Sequence, residues 1–317
     1  MKPSSLSRFA WGVLIYNLAV ILWGAFVRAS GSGAGCGSHW PLCNGEVLPH
    51  AQSWHTIIEF SHRLSSGLSF LLVSALTYFA FKSFPRGHRV RLAAGFSMGF
   101  ILSEALIGAA LVLLGLVAKD QSVTRAFSIC LHLINTFLLI ASLALTASWA
   151  KQPEKTSRPP FAALDALPLI LALVLGITGA ITALGDTLFP SKSLREGMSK
   201  DFARGSSFLV QLRVLHPLLS VLFGFYLIIL AQAIVKKAPG TEAAKLGKLL
   251  SGLIVWQFLL GFANILLLAP IAIQVMHLLS ANLVWLTLVL FIESKSELTG
   301  DLTLTLSDLK YNPQAPL

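Results

Sequence analysis

The chain has 317 residues, of which 55% are hydrophobic and 12% are charged, and its mean hydropathy is +0.74. This composition is too apolar for a soluble domain of that length and indicates a polytopic membrane protein. The net charge of +10 could indicate a nucleic-acid partner, but the basic residues lie in short segments between apolar runs, as in cytoplasmic loops. The sequence therefore predicts no nucleic-acid partner and predicts contact with membrane lipid.

Eight apolar runs are each long enough to cross a bilayer. They cover approximately residues 9–27, 58–81, 92–117, 126–149, 163–184, 208–235, 249–268 and 271–292. The first run resembles a signal peptide, but its length of 19 residues and the recurrence of its final residues later in the chain favour a retained helix. The sequence thus predicts an all-α membrane protein with eight transmembrane helices and both termini on one side.

The distribution of Lys and Arg decides the orientation of these spans. With a cytoplasmic N-terminus, 15 of the 24 basic residues lie on the cytoplasmic side, as the positive-inside rule requires. These residues are Lys2, Arg8, Lys82, Arg86, Arg89, Arg91, Lys151, Lys155, Arg158, Lys236, Lys237, Lys245, Lys248, Lys295 and Lys310. We therefore predict that both termini are cytoplasmic. The short segment before the first span favours a bacterial cytoplasmic (inner) membrane over a mitochondrial one.

A weak internal repeat divides the chain into two parts. Gly24 near the end of span one and Gly179 near the end of span five begin similar motifs, and a histidine follows each of them by 38 or 37 residues. Glu104 in span three matches Gln257 in span seven, although chance similarity between Leu-rich helices is an alternative. The repeat predicts two four-helix bundles in the same orientation. They cover residues 1–150 and 151–317, and the second ends in a polar cytoplasmic tail.

Four of the eight histidines lie within apolar runs, one in each even-numbered span: His62, His132, His216 and His277. In the predicted topology all four lie roughly 10 Å below the outer edge of the membrane. A lone histidine on an apolar helix usually packs, but four at one depth are typical of haem iron held by imidazoles from two helices. Each half would supply one pair, His62 with His132 and His216 with His277. Zinc is a weaker alternative, because the surrounding positions are apolar.

Haem would also explain four arginines at helix ends, since propionates near the outer interface need cationic partners. The candidates are Arg63, Arg125 and Arg213, with Arg28 behind them. The four remaining histidines fall in loops, where most are expected to be solvated. They are His39, His50, His55 and His88.

Glu59 begins span two and shares a helix face with His62, three residues later. Ionisable groups at such positions are costly and are usually functional. The alternative is that Glu59 forms a helix-end ion pair with Arg63. Glu104, near the middle of span three, is either on a proton path or a buried neutral acid, and the sequence does not separate the two.

Cys36 and Cys43 bracket a loop that the predicted topology places in an oxidising compartment, which favours a disulfide. The pair could be a structural staple or a redox relay, and the staple is favoured. Cys130 lies inside an apolar run, so we expect a buried and inert thiol.

The chain resembles the haem A synthase family. The resemblance rests on residues 24–37 (GAFVRASGSGAGCG), 40–45 (WPLCNG) and 59–63 (EFSHR), and on the histidines of spans four, six and eight. It implies an enzyme that oxidises the methyl group at ring position 8 of haem O to a formyl group, giving haem A, with water as the oxygen source.

The resemblance also implies a role for each site residue. His62 and His132 would ligate the iron of the substrate haem, His216 and His277 would ligate a haem B that carries electrons, and Glu59 would be the catalytic carboxylate. A haem O synthase and cytochrome oxidase assembly proteins are implied partners, and a homo-oligomer is compatible with the family.

The chain departs from the family pattern in its second half. Pro217 follows His216 where arginine is common, and a proline here is expected to bend span six. The loop 186–204 also lacks the second cysteine pair of some relatives. Two competing interpretations are a quinone-linked di-haem b-type electron-transfer protein and a haem transporter or assembly factor. Glu59 favours the enzyme, because its counterpart in the second half is Arg213.

Overall fold

The structure is a computed structural model that describes residues 1–50, 53–152 and 163–311. Within these ranges the chain forms ten helices and no strand. Eight spans are long and apolar enough to cross a membrane, which confirms the predicted all-α membrane class. Lys155 and Arg158, two of the residues used to predict orientation, lie outside the described residues.

The helices follow one another in chain order. They are α1 (Pro3–Ala29), α2 (Trp54–Ser83), α3 (Arg89–Leu113), α4 (Val123–Lys151), α5 (Ala163–Leu188), α6 (Leu194–Phe202), α7 (Phe208–Leu212), α8 (Leu215–Lys237), α9 (Glu242–Leu266) and α10 (Ile271–Tyr311). Because successive spans run in opposite directions, the ends of α1, α3, α5 and α9 meet the starts of α2, α4, α7 and α10. We call this the loop end of the bundle, and the other side the opposite end.

Proline and a short break shape span six, which is made of α7 and α8. Pro217 has no N–H to bond the carbonyl of Arg213 four residues earlier. Helix α7 therefore ends at Leu212, and α8 begins at Leu215. The structure thus interrupts span six just before Pro217, and the expected bend of the span stays a prediction.

Helix α6 lies in the long loop between spans five and six and was not predicted. Ser193 caps it by accepting a hydrogen bond from Glu196 N at 3.2 Å. The Glu196 carboxylate pairs with Lys200, whose hydrogen bond lowers the pKa of Glu196 below its ordinary value. Ser193 followed three residues later by Glu196 is a capping-box sequence, so a local signal for α6 was present.

Helix α10 continues well past residue 292, where the apolar run ends, and reaches Tyr311. Two charged side chains near that point have partners on other helices. Glu293 accepts a hydrogen bond from Trp149 Nε1 at 2.8 Å, and Lys295 Nζ lies 2.5 Å from Asp165 Oδ1. These partners satisfy the two charged side chains, so α10 can continue as a helix beyond its apolar part.

The two predicted bundles share part of one core. Helices α1 to α4 enclose a cluster that also contains Trp285 and Val289 of α10, whereas a second cluster joins α8, α9 and α10. Trp285 stacks on Phe137 of α4 with ring centres 5.3 Å apart and donates to the Phe137 carbonyl at 2.7 Å. The division at residue 150 and the equivalence of the two bundles stay predictions, and α10 packs across that division.

We expect Trp285→Phe to lower the free energy of unfolding by about 1–2 kcal/mol, because it removes one hydrogen bond and part of a buried ring. The matched control is Trp256→Phe on α9, since Trp256 is exposed on the apolar surface. Thermal melting of both variants in detergent checks this. Equal melting temperatures would show that the contact between α10 and α4 does not stabilise the fold.

Candidate functional site

The four histidines of the even-numbered spans lie near the loop end. Each follows the first residue of its span by six to nine residues. At 1.5 Å per residue this places them about 9–14 Å from the helix starts. The structure therefore puts all four at one level of the bundle, as the sequence predicted. They are His62, His132, His216 and His277.

Two of these rings pack directly on glycines of the preceding span. A Cβ built on Gly24 would lie 2.8 Å from Cε1 of His62, and one on Gly179 would lie 3.0 Å from Cε1 of His216. Contacts of about 3 Å or less are shorter than ordinary van der Waals separations. Any larger residue at either glycine would displace the imidazole, so the two glycines fix where the rings lie.

Hydrogen bonding favours one tautomer of His216. Its Nδ1 lies 3.1 Å from Thr178 Oγ1, and that hydroxyl donates to the Leu175 carbonyl at 2.8 Å. In the tautomer that keeps both bonds, the hydroxyl accepts from Nδ1–H. Nε2 of His216 keeps its lone pair and is free to ligate a metal.

His216 and His277 are the best-defined candidate haem pair. Their ring centres are 6.3 Å apart and the ring planes are nearly perpendicular, at 86°. With metal–imidazole bonds of about 2.0–2.1 Å, two opposed rings have centres roughly 6 Å apart across one metal. His277 Nδ1 has no hydrogen-bond partner in the described part of the chain. These residues fit a bis-histidine haem.

The other pair has a different environment. His132 Nδ1 lies 3.2 Å from Glu104 Oε1 of α3, which is an ion-pair distance. Neither His132 Nδ1 nor the buried His62 Nδ1 forms a well-aligned hydrogen bond within residues 1–50, 53–152 and 163–311. Glu104 was singled out in the sequence without a role, and the structure places its carboxylate beside a predicted ligand.

The Glu59 carboxylate is buried, with 4% of the residue exposed, and bonded on both oxygens. Oε1 accepts from Arg63 Nη2 at 2.6 Å and from Nε at 3.2 Å, while Oε2 accepts from Cys36 N at 2.8 Å. The ion pair with Arg63, the structural alternative for Glu59, is therefore present. It does not exclude a chemical role, since Oε2 retains a lone pair.

The loop after α1 packs over the start of α2 and is closed on itself by the disulfide between Cys36 and Cys43, which is formed as predicted. Both cysteines are buried. Thr56 Oγ1 donates to the Gly35 carbonyl at 2.9 Å, and a Cβ on Gly35 would overlap the His55 carbonyl. The loop thus rests against the turn of α2 that carries Glu59.

The four arginines predicted to bind propionates all lie near the loop end, and each has protein partners. Arg63 Nη1 donates to the carbonyls of His39 and Leu42, both at 2.6 Å. Arg125 Nη1 donates to two carbonyls of the loop before α4, while its buried Nε has no partner in the described chain. Their role toward propionates stays a prediction.

Arg28 and Arg213 are bound more extensively. Arg28 Nη1 donates to the Ala183 carbonyl at 2.8 Å and to Thr187 Oγ1 at 2.6 Å, which joins α1 to α5. Arg213 pairs with Asp201 at 2.7 Å and Asp186 at 2.9 Å, and its buried Nη2 has no partner in the described residues. That nitrogen is the atom of Arg213 that could still bind a propionate.

Asp186 and Asp201 are residues of this region that sequence reasoning missed. Neither lies in a motif. Asp186 approaches Arg213 because α5 packs on α7, and Asp201 approaches it because α6 folds back beside α7. Asn135 and Thr136 were also missed. A signal was present for these two, since His132, Asn135 and Thr136 share one face of α4.

The loop histidines differ from one another. His39 and His50 are exposed, and hydrogen bonding by His50 lowers the pKa of the exposed Glu46 carboxyl. His55 is half-buried, with Nδ1 3.0 Å from Ser32 Oγ, and His88 is buried because it caps α3 at Val90 N. The expectation that most are solvated therefore holds for only two of the four.

Cys130 is buried and unpaired, as predicted.

The zinc alternative requires about four ligands around one ion. Among the described residues, no three side chains of His, Cys, Asp or Glu are grouped to hold a metal. The assignment of the four histidines to haem iron stays a prediction.

We expect Gly24→Ala to displace the His62 ring and to weaken haem binding by the first histidine pair about tenfold, or 1.4 kcal/mol. Gly12→Ala on the same helix is the matched control, because a Cβ there meets nothing within 4 Å. Haem content of the purified variants, measured by absorption, checks this. Equal haem content in the two variants would contradict the assigned contact.

Gly35→Ala should lift the disulfide loop from α2, because the new Cβ would overlap the His55 carbonyl and lie 2.7 Å from Thr56 N. We expect a destabilisation of about 1–3 kcal/mol, as for other overpacked sites. Gly33→Ala in the same loop is the control, since its Cβ would make an ordinary 3.7 Å contact with Val117. The melting temperatures of the two variants and of the unaltered protein check this prediction. An unchanged melting temperature for Gly35→Ala would be inconsistent with this packing.

Comparison with known proteins identifies a family to which most of the chain is similar. Residues 7–289 match the COX15-CtaA family model, described as cytochrome oxidase assembly protein. The chain is 46% identical over 297 residues to a protoheme IX farnesyltransferase from Thermus thermophilus. That match covers 93% of this chain and 49% of the Thermus protein, so the chain spans about half the length of that relative.

A second kind of relative carries a different name. The chain is 46% identical over 98 residues to a heme A synthase from Bacillus mycoides, which covers 31% of this chain and 32% of that protein. The same identity and extent are found with a heme A synthase from Bacillus cereus. Because the family model covers most of the chain, this protein belongs to the COX15-CtaA family of cytochrome oxidase assembly proteins.

Proposed function

We propose that the protein is a haem A synthase that oxidises the ring position 8 methyl group of haem O to a formyl group. Water supplies the oxygen atom. One methyl group and one water give one formyl group, four electrons and four protons. The site must therefore accept protons close to the methyl carbon and must pass electrons to an acceptor. The family match and the heme A synthase relatives support this reaction.

One observation carries the proposal, which is the unequal distribution of carboxylates between the two histidine pairs. Glu59 lies one turn before His62, and Glu104 lies beside His132. The matching positions in the second half of the chain are Arg213 and Gln257. A pair that only carries electrons needs no proton acceptor, whereas methyl oxidation with water does.

Glu59 is proposed as the residue that accepts a proton from the attacking water. Arg63 occupies Oε1 through two donors, and the Cys36 N–H occupies one lone pair of Oε2. Oε2 therefore has one remaining acceptor position. The Arg63 guanidinium keeps the carboxylate oriented through its two hydrogen bonds to Oε1.

His62 and His132 are proposed to hold the iron of haem O, and His216 and His277 that of haem B. The 6.3 Å separation of the last two rings and the free Nε2 of His216 support the haem B assignment. When bound, haem B supplies one-electron redox chemistry. The protein keeps this group near the loop end, the same level as the substrate pair.

The disulfide is proposed to be a structural staple. Cys36 and Cys43 are buried to 0% and 1% exposure, and Cys36 N–H bonds directly to Glu59. A redox relay needs access to a partner thiol or disulfide. Burial and the contact with the proposed catalytic carboxylate instead favour a role in holding the loop.

The partner proposed to supply the substrate is a haem O synthase. The Thermus relative is named a protoheme IX farnesyltransferase, and this chain matches only 49% of it. A farnesyltransferase acting on protohaem makes the farnesylated haem that the proposed reaction consumes. We further propose a bacterial inner-membrane location with both termini cytoplasmic and with the loop end facing outward, where a disulfide can persist.

The reaction is tested by expressing the full chain in a host that makes haem O and lacks haem A, followed by mass analysis of the extracted haems. The expected product is haem A or its hydroxymethyl precursor. Glu59→Gln should keep both haems and lower product about 100-fold, the usual size of a lost general base. The control is Glu46→Gln, because Glu46 is an exposed carboxylate of the same loop region.

His216→Ala separates the roles of the two pairs, since it should remove haem B and leave haem O bound. Loss of haem O alone would show that the two sites are reversed. If the unaltered chain binds haem B and leaves haem O unchanged, the protein is an electron-transfer cytochrome instead.

A further inference from the structure

Glu104 on α3 lies at the centre of a polar cluster within the apolar bundle. Its Oε1 lies 3.2 Å from His132 Nδ1 and accepts a hydrogen bond from Thr136 Oγ1, while its Oε2 accepts from Asn135 Nδ2. The three partners all come from α4. Most of the side chain is shielded, with 18% exposed. A carboxylate in such surroundings is retained only where its partners satisfy it.

Two further hydrogen bonds orient the Asn135 side chain of this cluster. Ser103 Oγ donates to Asn135 Oδ1 at 2.6 Å, and Asn135 Nδ2 also donates to the Phe100 carbonyl at 2.9 Å. The amide nitrogen of Asn135 therefore faces Glu104, and the amide cannot turn over without losing both bonds. Glu104 is thus held as an acceptor toward α4.

An acceptor beside His132 Nδ1 selects one form of the ring. The carboxylate oxygen 3.2 Å from Nδ1 attracts the ring proton to that nitrogen, which leaves the lone pair of the imidazole on Nε2. A carboxylate in this position also raises the basicity of a histidine that ligates a metal. Glu104 therefore favours the form of His132 that can hold an iron through Nε2, and it strengthens that bond.

The second half has no such carboxylate at the matching position. Gln257 Nε2 lies 3.1 Å from His277 Nε2. Gln257 Oε1 and His277 Nδ1 have no hydrogen-bond partner within the described residues. Since an amide NH₂ can only donate, His277 Nε2 accepts from it and the ring proton is on Nδ1. A neutral amide does not raise the basicity of His277 as a carboxylate does.

We propose that Glu104 is a positioning residue for His132, which it holds in the Nδ1–H form, and that it makes His132 a stronger iron donor than His277. This inference rests on the proposed function, because it takes His132 as a ligand of the substrate haem. The effect of Glu104 is to favour the oxidised form of that iron relative to the iron of the second pair.

The test is a potentiometric titration of the purified full chain loaded with haem O and haem B in detergent, with the two haems followed separately by their absorption bands. Glu104→Gln keeps the shape of the side chain and removes its charge. At a fixed potential, we expect the oxidised-to-reduced ratio of the substrate haem to fall about tenfold, which corresponds to 59 mV for one electron. The ratio of haem B should not change.

Two further variants make the result specific. Glu104→Asp restores a carboxylate and should recover part of the shift, which a purely structural role would not do. Gln257→Glu places a carboxylate beside His277 and should raise the oxidised-to-reduced ratio of haem B while leaving the substrate haem unchanged. If Glu104→Gln does not accumulate as a folded protein, the oxidised-to-reduced ratio of haem B in Gln257→Glu tests the inference instead.

An unchanged ratio for the substrate haem in Glu104→Gln, or for haem B in Gln257→Glu, would overturn the inference. These outcomes are distinct from failure of the proposed function. If haem A forms but the oxidised-to-reduced ratio of the substrate haem does not change in Glu104→Gln, the synthase proposal holds and the role of Glu104 is wrong. If the ratio changes but no haem A forms, the synthase proposal is wrong and the positioning role of Glu104 holds.

Discussion

The buried ion pair between Glu59 and Arg63 is the interaction on which the loop end of the first four helices depends. Separating two such charges in an apolar setting costs about 3–5 kcal/mol, because the remaining charge has no solvent. The pair does not stand alone, since Cys36 N–H bonds the carboxylate and two loop carbonyls bond the guanidinium. The loop, its disulfide and the first turns of α2 therefore form one unit above His62.

The two halves of the chain use similar histidines in unlike electrostatic settings. The first pair has Glu59 and Glu104 near it, and both carboxylates are held in place by donors from the protein. Near the second pair, the carboxylates of Asp186 and Asp201 are already engaged by Arg213. Carboxylates thus lie beside the histidines of the first pair, whereas those of the second half pair with Arg213. This division suits a protein in which one haem is altered chemically and the other only exchanges electrons.

Local properties of the sequence were enough to predict the eight spans, the common level of the four histidines and the disulfide, because each depends on apolar length or on spacing along one segment. Other features depend on residues far apart in the chain. The contact of Glu104 with His132 needs α3 to pack on α4. The partners of Arg213 need α5 to pack on α7 and α6 to fold back. The pairing of Glu59 with Arg63 was visible as a spacing, but its bond to Cys36 was not. The roles of the site residues stay predictions.

Arg28 joins the two halves of the bundle at the loop end. Its guanidinium comes from the last turn of α1 and donates to Ala183 and Thr187 of α5, about 155 residues away in sequence. Sliding one half past the other would strip these bonds from a charge that has little water nearby, which is costly. The two histidine pairs are therefore kept at a constant spacing. A hinged opening of the two halves at this end would have to break both of these bonds.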